Sequence, residues 1–297
     1  MVFLLSTSGQ LGNRLWQASY FIANAIEHKY EFVHMGFSDY YDFFSENIEK
    51  GLHKKKYKCR IYRSKQLTFK HSTILEYVNY SEKFYRHYNF NLPFVVNIKL
   101  PTLRVKYDLS SDRFVKLAKK KIAMIDGWPF IDYSALRKHS KTIKEIFTPN
   151  AEYLNEVNQI KNKEFAKYDK VIGIHIRRGD YATFLNGMYF YDFSDYAHLM
   201  KEIKNFPEFR NLKLGYLLSS NEKINEEDFN EFNVIKSTGK FIEDLYLLSN
   251  CNLIVGPPSS FSCWAAFYGG APLIFVNHND AKINESEVFH VGETFPY

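Results

Sequence analysis

Residues 171–181 read Val-Ile-Gly-Ile-His-Ile-Arg-Arg-Gly-Asp-Tyr, and the rest of the chain is interpreted around them. Val171 to Ile176 has the composition of a short buried strand, β-branched and bounded by polar residues. Side chains alternate along a strand, so His175 and Arg177 share one face while Ile174 and Ile176 occupy the other. Arg177, Arg178, Gly179 and Asp180 then arrive together at its carboxyl end, where open α/β sheets bind their ligands. Two guanidiniums there make a fork suited to a diphosphate, because arginine offers planar, bidentate donors to phosphate oxygens. Asp180 can hold one arginine and leave the other for a ligand. The plainer alternative is a strand end closed by an Arg–Asp ion pair.

Working outward, the second half alternates. Helical residues 151–168 precede the strand at 171–176. A helix at about 194–205, strands at 213–219 and 233–235, a helix at 240–250, a strand at 252–255, a helix at 260–269 and a strand at 272–276 follow. Strands alternating with helices imply α/β structure with a parallel sheet covered on both faces. The first half opens the same way, with a strand at Val2–Leu5, a glycine turn at 6–14 and an apolar-periodic helix. Gly9 and Gly12 let the backbone approach a ligand, and the helix start offers N–H groups to an anion. Further strands are expected at Glu31–His34 and Lys121–Asp126, and one helix over Ser134–Phe147. Residues 37–108, rich in aromatics, are expected to be helices and loops decorating the first domain. The stop at Thr148-Pro149-Asn150 divides the chain into domains 1–150 and 151–297.

Composition narrows the class. At 45% hydrophobic and 24% charged, the 297 residues describe an ordinary globular protein that buries a sizeable core. Cys59, Cys251 and Cys263 form no disulfide or zinc spacing, which points to a reducing compartment. No stretch approaches the roughly 20 apolar residues of a membrane span, and the amino terminus has no signal-peptide pattern, so a cytoplasmic protein is expected. The net charge of +6 is local: residues 50–70 hold nine Lys and Arg with no acid, and the remainder is slightly acidic. A solvated loop or hairpin explains that run; an anionic partner, such as a membrane surface contacted peripherally, a lipid diphosphate or nucleic acid, is the functional alternative.

A second chemical stretch runs from Phe241 to Trp264. Asp244 can accept two hydrogen bonds from a guanine edge, although such an acid is usually just solvated on its helix. Gly256-Pro257-Pro258 breaks a strand, and Ser259, Ser260 and Ser262 open the next helix, as caps or as a phosphate cradle.

His175-Ile176-Arg177-Arg178-Gly179-Asp180-Tyr181 resembles the His-x-Arg-Arg-x-Asp-Tyr signature of GDP-fucose-dependent α-1,2-fucosyltransferases, and is similar to the equivalent segment of α-1,6- and protein O-fucosyltransferases. Asp244 to Trp264 resembles that family's later serine-rich block, and Gly9-Gln10-Leu11-Gly12-Asn13 its amino-terminal loop. The three occur in the family's order. The resemblance implies a GT-B architecture of two Rossmann-like domains, the first on the acceptor side and the second binding the GDP-sugar. It implies catalytic roles for Arg177 at the β-phosphate, for Arg178 in support and for Asn13. Donor binding would fall to Gly9, Gln10, Leu11, Gly12, His175, Asp180, Asp244, Ser259, Ser260 and Phe261. His175 and Asp244 would meet guanine and ribose, the serines and the Phe261 backbone the diphosphate, and Asn13 with its loop would close over the donor.

The chain also departs from the pattern. Residues 217–221 read Leu-Leu-Ser-Ser-Asn where the family often has Phe-Ser-Asp-Asp, and Arg14 replaces a glutamine, adding a charge near the phosphates. No Asp-x-Asp occurs, so the arginines, with no metal or other cofactor, would stabilise the departing GDP. The expected activity is inverting transfer of L-fucose from GDP-fucose to an oligosaccharide or glycolipid hydroxyl, α-1,2 on galactose. Asp39, Asp42 and Asp126 are candidates for the general base. The alternatives are a transferase for another GDP-sugar and a non-catalytic nucleotide- or nucleic-acid-binding protein; no nucleic-acid motif is present.

Overall fold

The computed structural model describes residues 1–53, 57–63, 94–100, 105–276, 283 and 288–292. Most of the basic run, at 54–56 and 64–70, and the aromatic residues 77–90 lie outside these. The chain divides into two compact units, Met1–Asn150 and Ala151–Tyr297.

In the first unit, strand β1 (Val2–Leu4) leads through the glycine turn into helix α1 (Leu11–His28), then β2 (Phe32–His34). Short helices α2 (Ser38–Tyr41) and α3 (Ser45–Ile48) and a π-helical turn precede β3 (Cys59–Ile61). After β4 (Val95–Lys99) and β5 (Tyr107–Asp108) come α4 (Asp112–Lys120), β6 (Ile122–Asp126) and β7 (Phe130–Ile131). Five strands form a parallel sheet in the order β3-β2-β1-β6-β4, while β5 and β7 pair separately. Sheet strands β3 and β4 correct the expectation that 37–108 only decorates the domain. They are three and five residues long and carry Arg60, Asn97 and Lys99, so neither shows the long apolar run of a central strand.

Helix α1 is amphipathic as its periodicity predicts, burying Leu15, Trp16, Ala18, Phe21 and Ile22. Phe21 stacks on Phe32 with centroids 5.4 Å apart. The expected single helix at 134–147 is two, α5 (Tyr133–Lys138) and α6 (Ser140–Ile146), divided at His139. The Asp132 carboxylate caps α5 by accepting from the Ala135 N–H at 2.9 Å.

The second unit begins with α7 (Ala151–Lys163) and β8 (Lys170–Ile176), followed by α8 (Phe193–Lys204), β9 (Leu214–Ser220) and β10 (Val234–Lys236). Helix α9 (Phe241–Leu248), β11 (Leu253–Gly256), α10 (Ser260–Gly269), β12 (Leu273–Phe275) and β13 (Val288–Phe289) complete it. The sheet order is β10-β9-β8-β11-β12-β13, parallel except for the antiparallel edge strand β13.

Strand β8 is central and buried on both faces, which is why it reads as an apolar run. Ile172, Ile174 and Ile176 pack into one cluster with Leu199, Met200 and Ile203 of α8. Burial of each isoleucine contributes about 1.5–3 kcal/mol. The opposite face carries Gly173 and His175. A Cβ at Gly173 would lie 2.7 Å from Leu248 Cδ2, so glycine is what lets α9 pack this closely.

Candidate active site

The sheet order places a topological switch point in the second unit. Strand β8 lies between β9 and β11, so the chain leaves the carboxyl ends of β8 and β11 in opposite directions and opens a crevice there. The turn carrying Arg177–Tyr181 and the turn carrying Pro257–Phe261 meet at this place. The register opposes Ile174 to Val255 and Ile176 to Ser220, which brings the 256–260 turn and residues 221–222 beside the arginines.

The two turns are joined directly. The Tyr181 hydroxyl donates to the Pro258 carbonyl at 2.6 Å. The His175 ring stacks on Phe261, centroids 5.3 Å apart. A Cβ at Gly256 would sit 2.6 Å from the His175 carbonyl oxygen, so the close approach of these strand ends requires glycine. His175 is buried, and its Nδ1 has no hydrogen-bond partner among the described residues. Burial, reinforced by the Arg177 charge, pushes its pKa down to about 3, which keeps the imidazole neutral at physiological pH.

The arginines have different settings. Arg177 Nη2 pairs with Asp180 Oδ2 at 2.8 Å, and its guanidinium lies 5.6 Å from the Tyr181 ring centroid. Asp180 is 55% exposed, so this pair is worth at most about 1 kcal/mol and is readily exchanged for a ligand anion. Arg178 is built into the protein. It donates to Asp192 Oδ1 at 2.9 Å, the Tyr191 carbonyl at 2.7 Å and Glu222 Oε2 at 3.2 Å. Phe190 and Phe193 lie 4.4 and 4.7 Å from its guanidinium. Partial burial opposes its charge, but the bonds to Asp192 and Glu222 outweigh this and raise its pKa. The sequence reading allowed one arginine to remain outside an ion pair; here both are paired.

Ser259 caps α10, its hydroxyl accepting from the Phe261 N–H at 3.2 Å, and Ser260 is the first residue of that helix. Asp244 is buried in the first turn of α9. Its Oδ1 accepts from the Thr238 N–H at 3.0 Å and the Thr238 hydroxyl at 3.1 Å. Burial raises its pKa despite further bonds from Ser237 and Gly239. Asp244 therefore organises the 237–239 turn ahead of its helix, a role the sequence reading did not assign.

In the first unit, Gly9 has φ +78°, and a Cβ there would lie 2.3 Å from Asn13 Nδ2. Gly9 and Asn13 are thus packed as one turn, with Gln10 at the amino-terminal cap position of α1 and Leu11 and Gly12 buried in its first turn. The Leu11 N–H bonds the Tyr40 oxygen. Arg14, expected to add a charge near the phosphates, is engaged by the glycine turn itself. It is buried, and its guanidinium donates to the carbonyls of Thr7, Ser8, Gly9 and Gly36, with Asp39 at 3.7 Å. Five N–H donors in a rigid plane suit this cluster of carbonyls, so Arg14 is the template of the glycine turn. Of the other acids, Asp42 pairs with Arg63 at 2.6 Å, and Asp126 accepts from the Gly127 N–H at 2.9 Å.

Among the described residues no group of three or more His, Cys, Asp or Glu is placed to hold a metal ion, and no helix is long and apolar enough to cross a membrane. Glu222 is the site residue that sequence reasoning passed over. It stands one position beyond the 217–221 segment compared with the family motif, and only strand register reveals its place.

Several known proteins are similar to this chain in fold or in sequence. The fucosyltransferase NodZ from Bradyrhizobium superposes with a TM-score of 0.60 at 13% identity, covering 95% of this chain and 97% of NodZ. A variant of Arabidopsis thaliana FUT1 in complex with GDP superposes with a TM-score of 0.59 at 12% identity, over 97% of this chain and 73% of FUT1. At such identities the likeness shows the fold, an α/β architecture of GT-B type. An α-1,2-colitosyltransferase from Escherichia coli is 26% identical over 141 residues, which is 44% of this chain and 46% of that protein. The match thus spans less than half of this curated relative. The sequence model of glycosyl transferase family 11 matches residues 53–289, which include both turns of the crevice, and the chain belongs to that family.

Proposed function

We propose that the protein is an inverting glycosyltransferase that moves L-fucose from GDP-fucose to a glycan hydroxyl, α-1,2 on galactose. The observation that carries this reading is the junction at the switch point: an arginine turn and a serine-capped helix start, held together by Tyr181–Pro258 and His175–Phe261.

In this reading Arg177 exchanges Asp180 for the diphosphate and neutralises the charge that grows on the β-phosphate oxygen as the anomeric C–O bond breaks. The electron pair of that bond leaves with GDP. The acceptor hydroxyl attacks the opposite face of the sugar as its proton passes to a carboxylate base or to water, inverting the anomeric centre. Neutral His175 can donate or accept one hydrogen bond to the guanosine without adding charge. Ser259, Ser260 and the Phe261 N–H line the diphosphate side. Arginine supplies the cationic stabilisation, so transfer is expected to survive chelation of divalent metal.

A transferase for another GDP-linked sugar is the second reading. It is favoured by the name of the colitosyltransferase relative and by the Leu-Leu-Ser-Ser-Asn segment at 217–221. Thermal shift of wild type and Arg177→Ala against GDP, GDP-fucose, GDP-colitose and UDP, in chelator, tests both. A ligand at 100 times its dissociation constant stabilises by about 2.7 kcal/mol. Stabilisation by GDP species, lost in Arg177→Ala, supports the site, and the sugar that turns over chooses the donor. No response to any GDP species overturns the reading in favour of a protein that does not bind GDP-sugars.

A further inference from the structure

Three contacts connect the segment after β9 to the arginine turn, and the two residues that supply them, Asn221 and Glu222, are not among the residues expected to touch a ligand. Asn221 Oδ1 accepts from the Arg178 N–H at 2.9 Å. Glu222 Oε1 accepts from the Gly179 N–H at 2.9 Å, while its Oε2 accepts from Arg178 Nε at 3.2 Å. The fit is close, because Gly179 has φ +30° and a Cβ there would sit 2.6 Å from Asn221 Nδ2. On its other side the Arg178 side chain meets Asp192, the Tyr191 carbonyl, and the rings of Phe190 and Phe193.

We propose that Asn221 and Glu222 are positioning residues for the diphosphate: they lock the Arg178–Gly179 backbone and hold the Arg178 side chain in its cage, so that the phosphate-directed charge falls to Arg177. The inference rests on the reading of the crevice as a GDP site. Two carboxylates, from Glu222 and Asp192, balance the Arg178 cation, and a cation so engaged is a strut rather than a mobile ligand. Removing Glu222 takes away the Gly179 backbone anchor and one side of the Arg178 cage, leaving the guanidinium to Asp192, the Tyr191 carbonyl and the two rings. The turn that aims Arg177 is then held by Asn221 alone on this side. The segment that departs from the family motif thereby acquires a role, since its last residue is the amide Asn221 and the carboxylate Glu222 follows immediately.

The experiment is calorimetric titration of wild type, Glu222→Ala, Glu222→Gln and Asn221→Ala with GDP and, separately, with guanosine. Charge-assisted hydrogen bonds of this kind correspond to roughly ten- to hundredfold in affinity. Glu222→Ala is expected to weaken GDP by that factor while leaving guanosine within about twofold, because the clamp acts on the phosphate-binding turn alone. Glu222→Gln, which keeps an acceptor for the Gly179 N–H, should fall between. The Asn221→Ala and Glu222→Ala effects should be less than additive in the double variant, as both act through one turn. Equal GDP affinity in Glu222→Ala and wild type overturns the proposal and leaves the GDP site standing. Equal weakening of GDP and guanosine also overturns it, by showing general loss of structure. If wild type binds neither GDP nor guanosine, the functional reading itself falls and takes the proposal with it.

Discussion

The Tyr181 hydroxyl and the Pro258 carbonyl are 2.6 Å apart, and this bond closes the crevice between the turns after β8 and β11. Tyr181 is buried, so removing its hydroxyl leaves an acceptor poorly satisfied. Tyr181→Phe should keep the ring contact with Phe184 yet lower stability by about 1 kcal/mol. GDP binding should weaken as well, since the serine turn is no longer tied to the arginine turn. Urea unfolding and GDP titration measure the two effects; a variant identical to wild type in both would remove this bond from the account.

Stability should fall with acid in a specific window. His34 and His175 are both buried, and burial, aided by Arg14 and Arg177 respectively, lowers each pKa from the ordinary 6.5 to about 3. The unfolded chain therefore takes up two protons that the folded chain refuses, so stability rises with pH there. The contribution is complete above pH 6.5 and is lost progressively as pH falls toward 3. Each histidine adds a slope of up to about 1.4 kcal/mol per pH unit. Urea titrations at several pH values between neutral and mildly acidic should show it, and His34→Gln should remove about half the slope. A flat profile would contradict the buried neutral state.

Arg14 carries a structural load that lysine cannot. Its planar guanidinium serves four carbonyls around the Gly9 turn, whereas an ammonium is a single point donor cluster. Arg14→Lys is expected to destabilise by about 3 kcal/mol, close to the cost of breaking a buried charged network. Thermal or urea unfolding checks this, and a loss below about 1 kcal/mol would show that the turn holds without it.

The peripheral membrane contact expected of the basic run at 50–70 is tested by charge reversal. Of its described members, Arg63 is paired with Asp42. Lysines near an anionic surface contribute about 1 kcal/mol each. Reversing Lys54, Lys55 and Lys56 to Glu should therefore abolish co-sedimentation with phosphatidylserine vesicles at low salt while GDP binding is retained. Vesicle binding that ignores the reversal would return the run to a solvated loop.

The residues of the two strand-end turns were legible because they lie in short, contiguous blocks. An apolar strand ending in Arg-Arg-Gly-Asp, and a helix–strand–Gly-Pro-Pro–serine block, announce strand-end sites by local composition alone. The helices of the second unit were legible for the same reason, their apolar periodicity being unbroken. Sheet strands β3 and β4 were not, because short edge strands that carry polar residues lack a strong periodic signal. The four carbonyls around Arg14 were not legible, since they come from residues between Thr7 and Gly36 that only the folded turn assembles.

By itself the sequence determined the alternation of strands and helices, the two-part division at 150, and which residues carry charge and hydroxyls at strand ends. These follow from propensity and periodicity, which act over a few neighbouring positions. Only the tertiary structure decided the strand order that sets the switch point beside β8, the pairing of Arg177 with Asp180 against the caging of Arg178, and the arrival of Glu222 at Gly179. Sheet order and register join segments more than 40 residues apart, as the Gly179–Glu222 bond does, and no local pattern encodes that distance.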